Sequence, residues 1–378
     1  MTLLRENGKL YIRVSTRTNR VLTYQTNEVR GLELSERKLK ILAAIVDTYV
    51  ETGEPVGSKA LALDLGVSSA TIRNEMSDLE ELGLLEQPHT SAGRVPSQHG
   101  YRVYIDRLMN RQAITQQERR YLDGLLLSSA YDPERLLDGV SQALAGLTKF
   151  AAVSTTPCGN AANIRGVQFV QTSRRTAMVI LMTSAGTMKN RIFHCDFDVT
   201  PEILRVFFRV LNEKLAGLPV FSITPAFIQS LGASLGEMTM LMSSALMAVL
   251  DVAQDTMETD VCLNGQMNLL FYPEFEQGNA RRVMNFLERP QELARLLLEK
   301  QTAKDVQNKL KVLIGKEARR PELNDSSLII ARYSIDGQDA GAIGIIGPTR
   351  MNYGKIIANI EYLSASVGRI LTELMREE

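Results

Sequence analysis

The chain has 378 residues, enough for two or three domains that each bury a hydrophobic core. It carries 43 basic and 43 acidic residues, and this zero formal net charge excludes a protein that is drawn to nucleic acid by its overall field. Three scattered cysteines, Cys158, Cys195 and Cys262, and the lack of an apolar export signal predict reduced thiols and a cytoplasmic location.

Residues 1–33 form an N-terminal extension of unknown role. They carry six basic and three acidic residues. Strand-like residues at 10–14 and 21–24 predict a hairpin around residues 18–20. An arm that contacts DNA is one interpretation, and a poorly ordered tail is the favoured alternative.

Residues 34–110 have the element order of a winged helix-turn-helix with a linker helix. Apolar residues at helical spacing predict a first helix, a short second helix and a third helix after a tight turn. Small polar residues and glycines mark where these helices begin and end. In chain order, the predicted caps and turn residues are Ser35, Gly53, Ser58, Gly66 and either Ser68 or Ser69.

The third helix is predicted to read DNA bases. Its core-facing residues are expected to be Ile72, Met76, Leu79 and Leu82. Arg73 and Asn74 then project outward, where arginine pairs with guanine and asparagine with adenine, each pair discriminating by about 1–3 kcal/mol. The small Ser69 and Ala70 allow the helix start to approach phosphate. For Ser77, a solvated helix surface is an equally good interpretation.

A short strand at 84–86 and a polar loop between two prolines predict the wing of this domain. Gly93 is expected to adopt a positive φ at the wing tip, and Arg94 to reach phosphate or the minor groove. His89 either donates to phosphate or is exposed and uninvolved. The full set of predicted DNA contacts is Ser68, Ser69, Ala70, Thr71, Arg73, Asn74, Ser77, His89, Thr90, Ser91 and Arg94.

Local charge favours site-specific rather than indiscriminate DNA binding. Residues 35–110 carry eight Lys or Arg against eleven Asp or Glu, so the region as a whole is not basic. Two stretches, 65–74 and 87–105, nevertheless contain three arginines and no acidic residue. The predicted DNA-facing surfaces are therefore more positive than the domain that carries them.

Beyond the winged helix, strand-like and helical segments are mixed, which predicts an α+β domain. The predicted strands lie at 164–170, 176–183, 188–193, 311–314, 328–333 and 342–346. The predicted helices lie at 279–287, 291–300 and 353–375. Glycines at 341, 344 and 347 lack the spacing of a dinucleotide site, and no cofactor is predicted.

A helix near residues 234–253 is apolar around its whole circumference and rich in methionine. Its uncharged stretch, 238–250, is too short to span a bilayer, so no membrane is predicted as a partner. Internal core and a subunit interface fit this pattern equally well. As an interface, a two-fold dimer would place two recognition helices on an inverted repeat.

The loop at 88–96 (PHTSAGRVP) is more specific than a general winged-helix pattern. Further characteristic segments are 55–58 (PVGS), 70–74 (ATIRN), 78–83 (DLEELG) and 346–351 (IGPTRM), with weaker ones at 149–153 and 211–215. Together they resemble the HrcA family of heat-inducible transcription repressors. The resemblance extends from about residue 34 to the end of the chain, and the preceding residues have no counterpart in it.

This resemblance implies a GAF-like domain at 111–199 and 277–378, interrupted by an inserted dimerisation domain at 200–276. It also implies a homodimer that binds double-stranded DNA at an inverted-repeat operator and represses chaperone operons. In such a repressor, a GroE-type chaperonin maintains the active form. Heat then releases the operator when unfolded proteins occupy the chaperonin.

Two further functional classes remain as alternatives. A metabolite-responsive winged-helix regulator would use the GAF-like domain, and its operator affinity would depend on a ligand. An enzyme is disfavoured, because the three histidines, His89, His99 and His194, are few and no nucleophile elbow or phosphate loop occurs. No metal site is predicted either, since His194, Cys195 and Asp196 would point to opposite faces of a strand.

Overall fold

The computed structural model describes residues 2–6, 9–13, 34–89, 92–129, 132–157, 162–276, 278–299 and 309–376. At the N-terminus, strands β1 (Thr2–Glu6) and β2 (Lys9–Arg13) pair antiparallel. This pairing differs from that of the predicted hairpin. The first predicted strand of that hairpin, 10–14, overlaps β2, but β2 pairs with the preceding β1. The second predicted strand, 21–24, lies outside the described residues.

Three helices and a two-stranded hairpin form the winged helix, residues 34–108. They are α1 (Glu36–Thr52), α2 (Ser58–Leu65), α3 (Ser69–Glu81), β3 (Leu85–Glu86) and β4 (Val95–Pro96). A fourth helix, α4 (Gln98–Val103), continues as a π-helical turn, Tyr104–Leu108. The predicted order of elements is confirmed.

Local capping explains where these helices begin and end. The side chains of Ser35 and Ser68 each accept a hydrogen bond from the backbone amide three residues later, at the starts of α1 and α3. Gly53 and Gly66 end α1 and α2 with φ of 72° and 63°. Four of the predicted boundaries therefore follow from single residues.

Two positions in the winged helix differ from the prediction. Gly57, not Ser58, occupies the N-cap of α2, and the Ser58 hydroxyl lies 3.0 Å from that of Ser69, which joins α2 to α3. Leu82 was expected in the core but is 41% exposed. It follows the last residue of α3, and the chain then turns so that Leu84 fills the core instead.

The rest of the chain combines two sheets with eight helices among the described residues. In chain order the elements are α5 (Gln116–Ser128), α6 (Pro133–Thr148), β5 (Ala151–Thr155), β6 (Ile164–Ser173), β7 (Thr176–Thr183), β8 (Met188–His194), α7 (Pro201–Leu215), α8 (Pro225–Ser234), α9 (Met238–Met257), β9 (Val261–Asn264), α10 (Asn279–Leu287), α11 (Pro290–Leu298), β10 (Leu310–Ile314), β11 (Ser326–Ile335), β12 (Gln338–Pro348) and α12 (Tyr353–Arg376).

A five-stranded antiparallel sheet of order β10-β11-β12-β5-β9 is the centre of the sheet domain, residues 111–155 and 261–376. Alternate side chains of its strands point to opposite faces. Ile329 and Ile343 belong to the core that contains α6 and α12, whereas Leu328 and Ile346 belong to the core beneath α10 and α11. The sheet is thus covered by helices on both faces.

Residues 156–260, the inserted segment, lie in the chain between two neighbouring strands of that sheet, β5 and β9. Strands β6, β7 and β8 form a separate antiparallel sheet, which packs against α7 and α9. Its core includes residues from all of these elements, such as Val179, Phe207 and Val249. Among the described residues, no helix is long and apolar enough to cross a bilayer.

The boundaries of this segment differ from the predicted insert at 200–276. The predicted strands at 164–170, 176–183 and 188–193 were assigned to the GAF-like domain, but the apolar side chains that they bury belong to the core shared with α7 and α9. Conversely, β9 lies within the predicted insert and pairs with β5 of the five-stranded sheet. Strand propensity locates such segments without specifying which sheet they join.

The winged helix packs directly against the sheet domain, and the two share one hydrophobic core. Tyr101 of α4 is 1% exposed, and its ring centroid lies 6.0 Å from that of Tyr353 in α12. Arg102 forms an ion pair with Glu317 and donates a hydrogen bond of 2.7 Å to the carbonyl of Val312. These contacts fix α4 to the edge of the sheet.

Arg350, from the IGPTRM segment, is held within the sheet domain at a point that faces the winged helix. It forms an ion pair with Glu274, and its guanidinium carbon lies 5.7 Å from the ring centroid of Tyr272. A Cβ added to Gly53, at the end of α1, would collide with this guanidinium. The end of the first helix is therefore in close contact with the carboxy-terminal half of the chain.

Candidate nucleic-acid interface

The first two turns of α3 present a polar, exposed surface. Ile72, Met76 and Leu79 are buried, so the opposite side of the helix faces solvent. Arg73 and Asn74 are exposed there, and neither makes a side-chain hydrogen bond or ion pair with another described residue. Their hydrogen-bonding groups are therefore available to an external partner.

The start of α3 is held in place by hydroxyl groups. Ser68 Oγ accepts a hydrogen bond from the Thr71 amide and lies 2.8 Å from the Thr71 hydroxyl. Ser69 is half-buried and contacts Ser58, whereas Ala70 is exposed. One of the amides at the helix start is thus already used by its cap, and the small Ala70 leaves the surface beside it open.

Two acidic side chains on α3 are paired with α1. The Lys38 ammonium lies 2.9 Å from Glu75 and 2.8 Å from Asp78. Its hydrogen bonds to Asp78 and Glu75 raise the pKa of Lys38. The negative charge that the sequence places on the recognition helix is therefore partly neutralised on the side that faces α1.

Arg94 does not project freely from the wing as predicted. Its Nε and one terminal guanidinium nitrogen each lie 2.8 Å from Glu80 Oε2 on α3, and its side chain is 19% exposed. The predicted phosphate contact is thus engaged within the protein. The sequence indicated both charges but not that the wing and α3 would bring them together.

Gly93 has a role other than the predicted positive φ, since its φ lies outside the left-handed region. A Cβ at this position would collide with the backbone of Pro55 and Val56. Val56 and Arg94 form an isolated antiparallel bridge at this point. The PVGS and PHTSAGR segments therefore meet in space, and glycine is needed for their close approach.

The remaining predicted contacts lie around the wing and farther along α3. Ser77 and His89 are exposed. Thr90 and Ser91 lie outside the described residues. The structure thus leaves Ala70, Arg73, Asn74, Ser77 and His89 exposed, whereas Ser69 contacts α2. It adds Lys38 and Glu80, which the sequence analysis did not single out because their partners are distant in the chain.

The described cysteines have the properties of structural thiols. Burial raises the pKa of the Cys262 thiol to about 11 and also raises that of Cys195. Both thiols are therefore protonated near neutral pH. The described residues contain no group of three His, Cys, Asp or Glu side chains arranged to hold a metal ion. Cys158 lies outside the described residues.

Two family models match most of the chain. The model "Winged helix-turn-helix transcription repressor, HrcA DNA-binding" matches residues 33–108, and "HrcA protein C terminal domain" matches residues 134–357. A solved structure described as a hypothetical protein covers 90% of this chain and 100% of its own, with a TM-score of 0.64. At 22% identity it shows the fold alone, and the predicted α+β class with an amino-terminal winged helix is confirmed.

Proteins named heat-inducible transcription repressor HrcA are similar over nearly their full length. The one from Acetivibrio thermocellus is 37% identical over 350 residues, which are 91% of this chain and 98% of that protein. The one from Carboxydothermus hydrogenoformans is 35% identical over 341 residues, 89% of this chain and 98% of that protein. These relatives are transcription repressors and not enzymes. The chain belongs to the HrcA family of heat-inducible transcription repressors.

Proposed function

We propose that this repressor binds an inverted-repeat operator as a homodimer, with α3 of each subunit in a major groove. The observation that carries the proposal is the contrast along α3. Arg73 and Asn74 are exposed and have no described partner, while Glu75, Asp78 and Glu80 are paired within the protein. Such a helix offers base-reading groups to DNA with less repulsion from its own carboxylates.

The proposed DNA contacts divide into base-reading and positioning groups. Arg73 and Asn74 would contact base edges, and each good pairing is worth about 1–3 kcal/mol of discrimination. The remaining residues would position the helix and wing on the backbone without reading bases. These are Ser68, Ser69, Ala70, Thr71, Ser77, His89, Thr90 and Ser91. Arg94 is left out because Glu80 holds its side chain.

The inserted segment provides the proposed dimer interface. Helix α9 buries Met242, Leu246 and Val249 in its own core, yet Met240 is 88% exposed and Met247 is 54% exposed. One face of α9 therefore fits the interpretation as internal core, and another face fits the interpretation as a subunit interface. Large exposed apolar side chains are uncommon on monomers when they cluster, and flexible methionines suit a protein partner.

Heat regulation through a GroE-type chaperonin completes the proposal for a cytoplasmic repressor of chaperone operons. The relatives are named heat-inducible. Chaperonins bind exposed apolar surface, which the inserted segment offers in the free subunit. Chaperonin would then maintain the fraction of chain that assembles into operator-binding dimers, and unfolded proteins produced by heat would compete for it.

The decisive experiment is a quantitative binding assay on an inverted-repeat fragment and on a scrambled fragment of equal length. We expect much tighter binding to the inverted repeat, with a stoichiometry of two chains per fragment. Chaperonin should increase the active fraction, and a denatured client protein should cancel that increase. Equal affinity for both fragments would refute operator recognition, and a chaperonin-independent active fraction would refute the regulatory part.

A metabolite-responsive regulator remains the second candidate, because a polar cavity of about 480 Å³ lies between the winged helix and the sheet domain. Tyr49, Tyr101 and Glu274 contribute to its walls. The Tyr101 hydroxyl and Glu274 Oε2 are buried there without a hydrogen-bond partner among the described residues. Operator affinity that changes with small-molecule extracts would favour this function over chaperonin control.

A further inference from the structure

Arg94 lies where three parts of the winged helix meet: the wing, α3 and the turn between α1 and α2. Its backbone N–H donates to the carbonyl of Val56, and the N–H of Val56 donates to the carbonyl of Arg94, both at 2.9 Å. The preceding Gly93 is in close contact with the backbone of the same turn. The base of the wing is therefore fixed by main-chain bonds on this side.

The Arg94 side chain fixes the wing on the other side. Two of its nitrogens lie 2.8 Å from the same oxygen of Glu80, and the side chains of Arg94 and Glu80 are 19% and 34% exposed. Charge-assisted hydrogen bonds of this length are stronger than neutral ones and restrict geometry. The orientation of the wing relative to α3 thus depends on one partly buried ion pair.

A phosphate group would have to compete with Glu80 for this guanidinium. If Arg94 turned to phosphate, the Glu80 carboxylate would lose its described partner and stay partly buried beside the DNA backbone. An unpaired, partly buried charge is costly, and it would repel phosphate. Arg73, in contrast, gives up no described partner when it meets DNA.

We propose that Arg94 is a positioning residue that sets the angle between wing and recognition helix through Glu80 and Val56, and that it is not a phosphate ligand. The proposal rests on the proposed function, since it takes α3 as the helix that enters the operator. Glu80 is the second member of this pair. An acidic residue on the recognition helix therefore supports DNA binding.

The test uses four variants of the full-length chain: Arg94→Gln, Glu80→Gln, the double variant, and Glu81→Gln as a matched control. Glu81 is the adjacent exposed acid on α3 and has no ion pair with a described residue. Affinities for operator and for random DNA are measured over a range of salt concentrations, and the binding-competent fraction is titrated for each variant.

Positioning predicts that Arg94→Gln binds operator about tenfold more weakly than the wild type, and that Glu80→Gln is weaker than Glu81→Gln by a similar factor. The double variant should be no weaker than the weaker single variant, because both remove the same pair. Random DNA should be bound nearly as before, and the salt dependence should keep its slope.

Phosphate binding predicts opposite results and would overturn the proposal. Glu80→Gln would then bind both DNAs more tightly than Glu81→Gln, because it frees an arginine, and Arg94→Gln would reduce the salt slope by about 1. Equal losses on both DNAs with a reduced competent fraction would assign a merely stabilising role and would also overturn it.

Failure of the proposed function is recognised separately. Two results would show that α3 does not read bases. One is a wild-type chain that binds operator and random DNA equally well. The other is an Arg73→Ala variant that loses equal affinity on both. The positioning role would then fall with the proposed function. Normal behaviour of Arg73→Ala combined with tighter binding by Glu80→Gln would overturn the positioning role alone.

Discussion

The winged helix and the inserted segment both bury apolar side chains but expose different surfaces. Among the described residues of the winged helix, the large apolar side chains that are exposed are Leu63 and Leu82. Those of the inserted segment are Val170, Met188, Ile192, Val206, Phe208, Phe221, Met240 and Met247. A polar surface suits a phosphate-lined groove, and an apolar surface suits another protein. The difference is the one that the proposed function requires, with DNA at the first region and a second subunit at the other.

The largest expected effect comes from changing the apolar surface. Met240→Asp combined with Met247→Asp should separate the subunits and lower operator affinity about 1,000-fold, because each half-site is then bound alone. Sedimentation and operator titration measure both quantities. Leu127→Asp, at a side chain that is 71% exposed on α5, is the matched control and should change neither. A double variant that remains dimeric would refute this interface.

Adding a single methyl group at Gly93, as in Gly93→Ala, should strongly destabilise the winged helix. The added Cβ collides with main-chain atoms of Pro55 and Val56, which cannot move aside as a flexible side chain would. The free energy of unfolding should fall by about 3 kcal/mol, as measured by denaturant titration. Gly57→Ala, with open space around it and a φ of −90°, should cost only the loss of a favourable N-cap residue, about 0.5–1 kcal/mol.

Arg73→Ala tests the polar surface without altering the fold. Its exposed side chain makes no described hydrogen bond or ion pair, so thermal stability should stay nearly unchanged. Operator affinity should fall by about 2 kcal/mol, with a smaller loss on random DNA. If the loss were the same on both, Arg73 would contact phosphate rather than a base.

The smallest expected effect concerns the helix cap at the start of α3. Ser68→Ala removes the acceptor for the Thr71 amide and should lower the free energy of unfolding by about 1 kcal/mol. Ser77→Ala, in the same helix but without a capping role, should not destabilise the chain. Calorimetry on the two variants distinguishes capping from a general effect of losing a hydroxyl.

The winged helix was largely predictable because short-range rules determine it. Ser35, Gly53, Gly66 and Ser68 fix helix ends through contacts within a few residues, and each was identified from the sequence. Arg94 was assigned to DNA because its partner Glu80 is 14 positions away and no pattern links them. Short-range rules therefore predict where the DNA-facing surface lies in the chain. Which of its charged side chains are unpaired depends on tertiary contacts.

The inserted segment shows a feature that short-range rules do not predict, which is the sheet that each strand joins. Its three strands were predicted individually from branched and apolar residues. Their membership of a separate sheet depends on α7 and α9, which cover them, and pairing of this kind is specified by packing rather than by propensity. The strand β9, only four residues long, carried too little pattern to be recognised at all.

The shared core beneath α4 limits how the winged helix could be separated from the rest of the chain. Tyr101 is almost fully enclosed, and Tyr353 in α12 is one of the residues that enclose it. A gene fusion that transferred only residues 34–110 to another sensor would leave Tyr101 and Val103 facing water, at a cost of roughly 1.5–3 kcal/mol for each large apolar side chain. Residues 34–110 and the carboxy-terminal sheet domain therefore depend on each other to keep this apolar surface out of water.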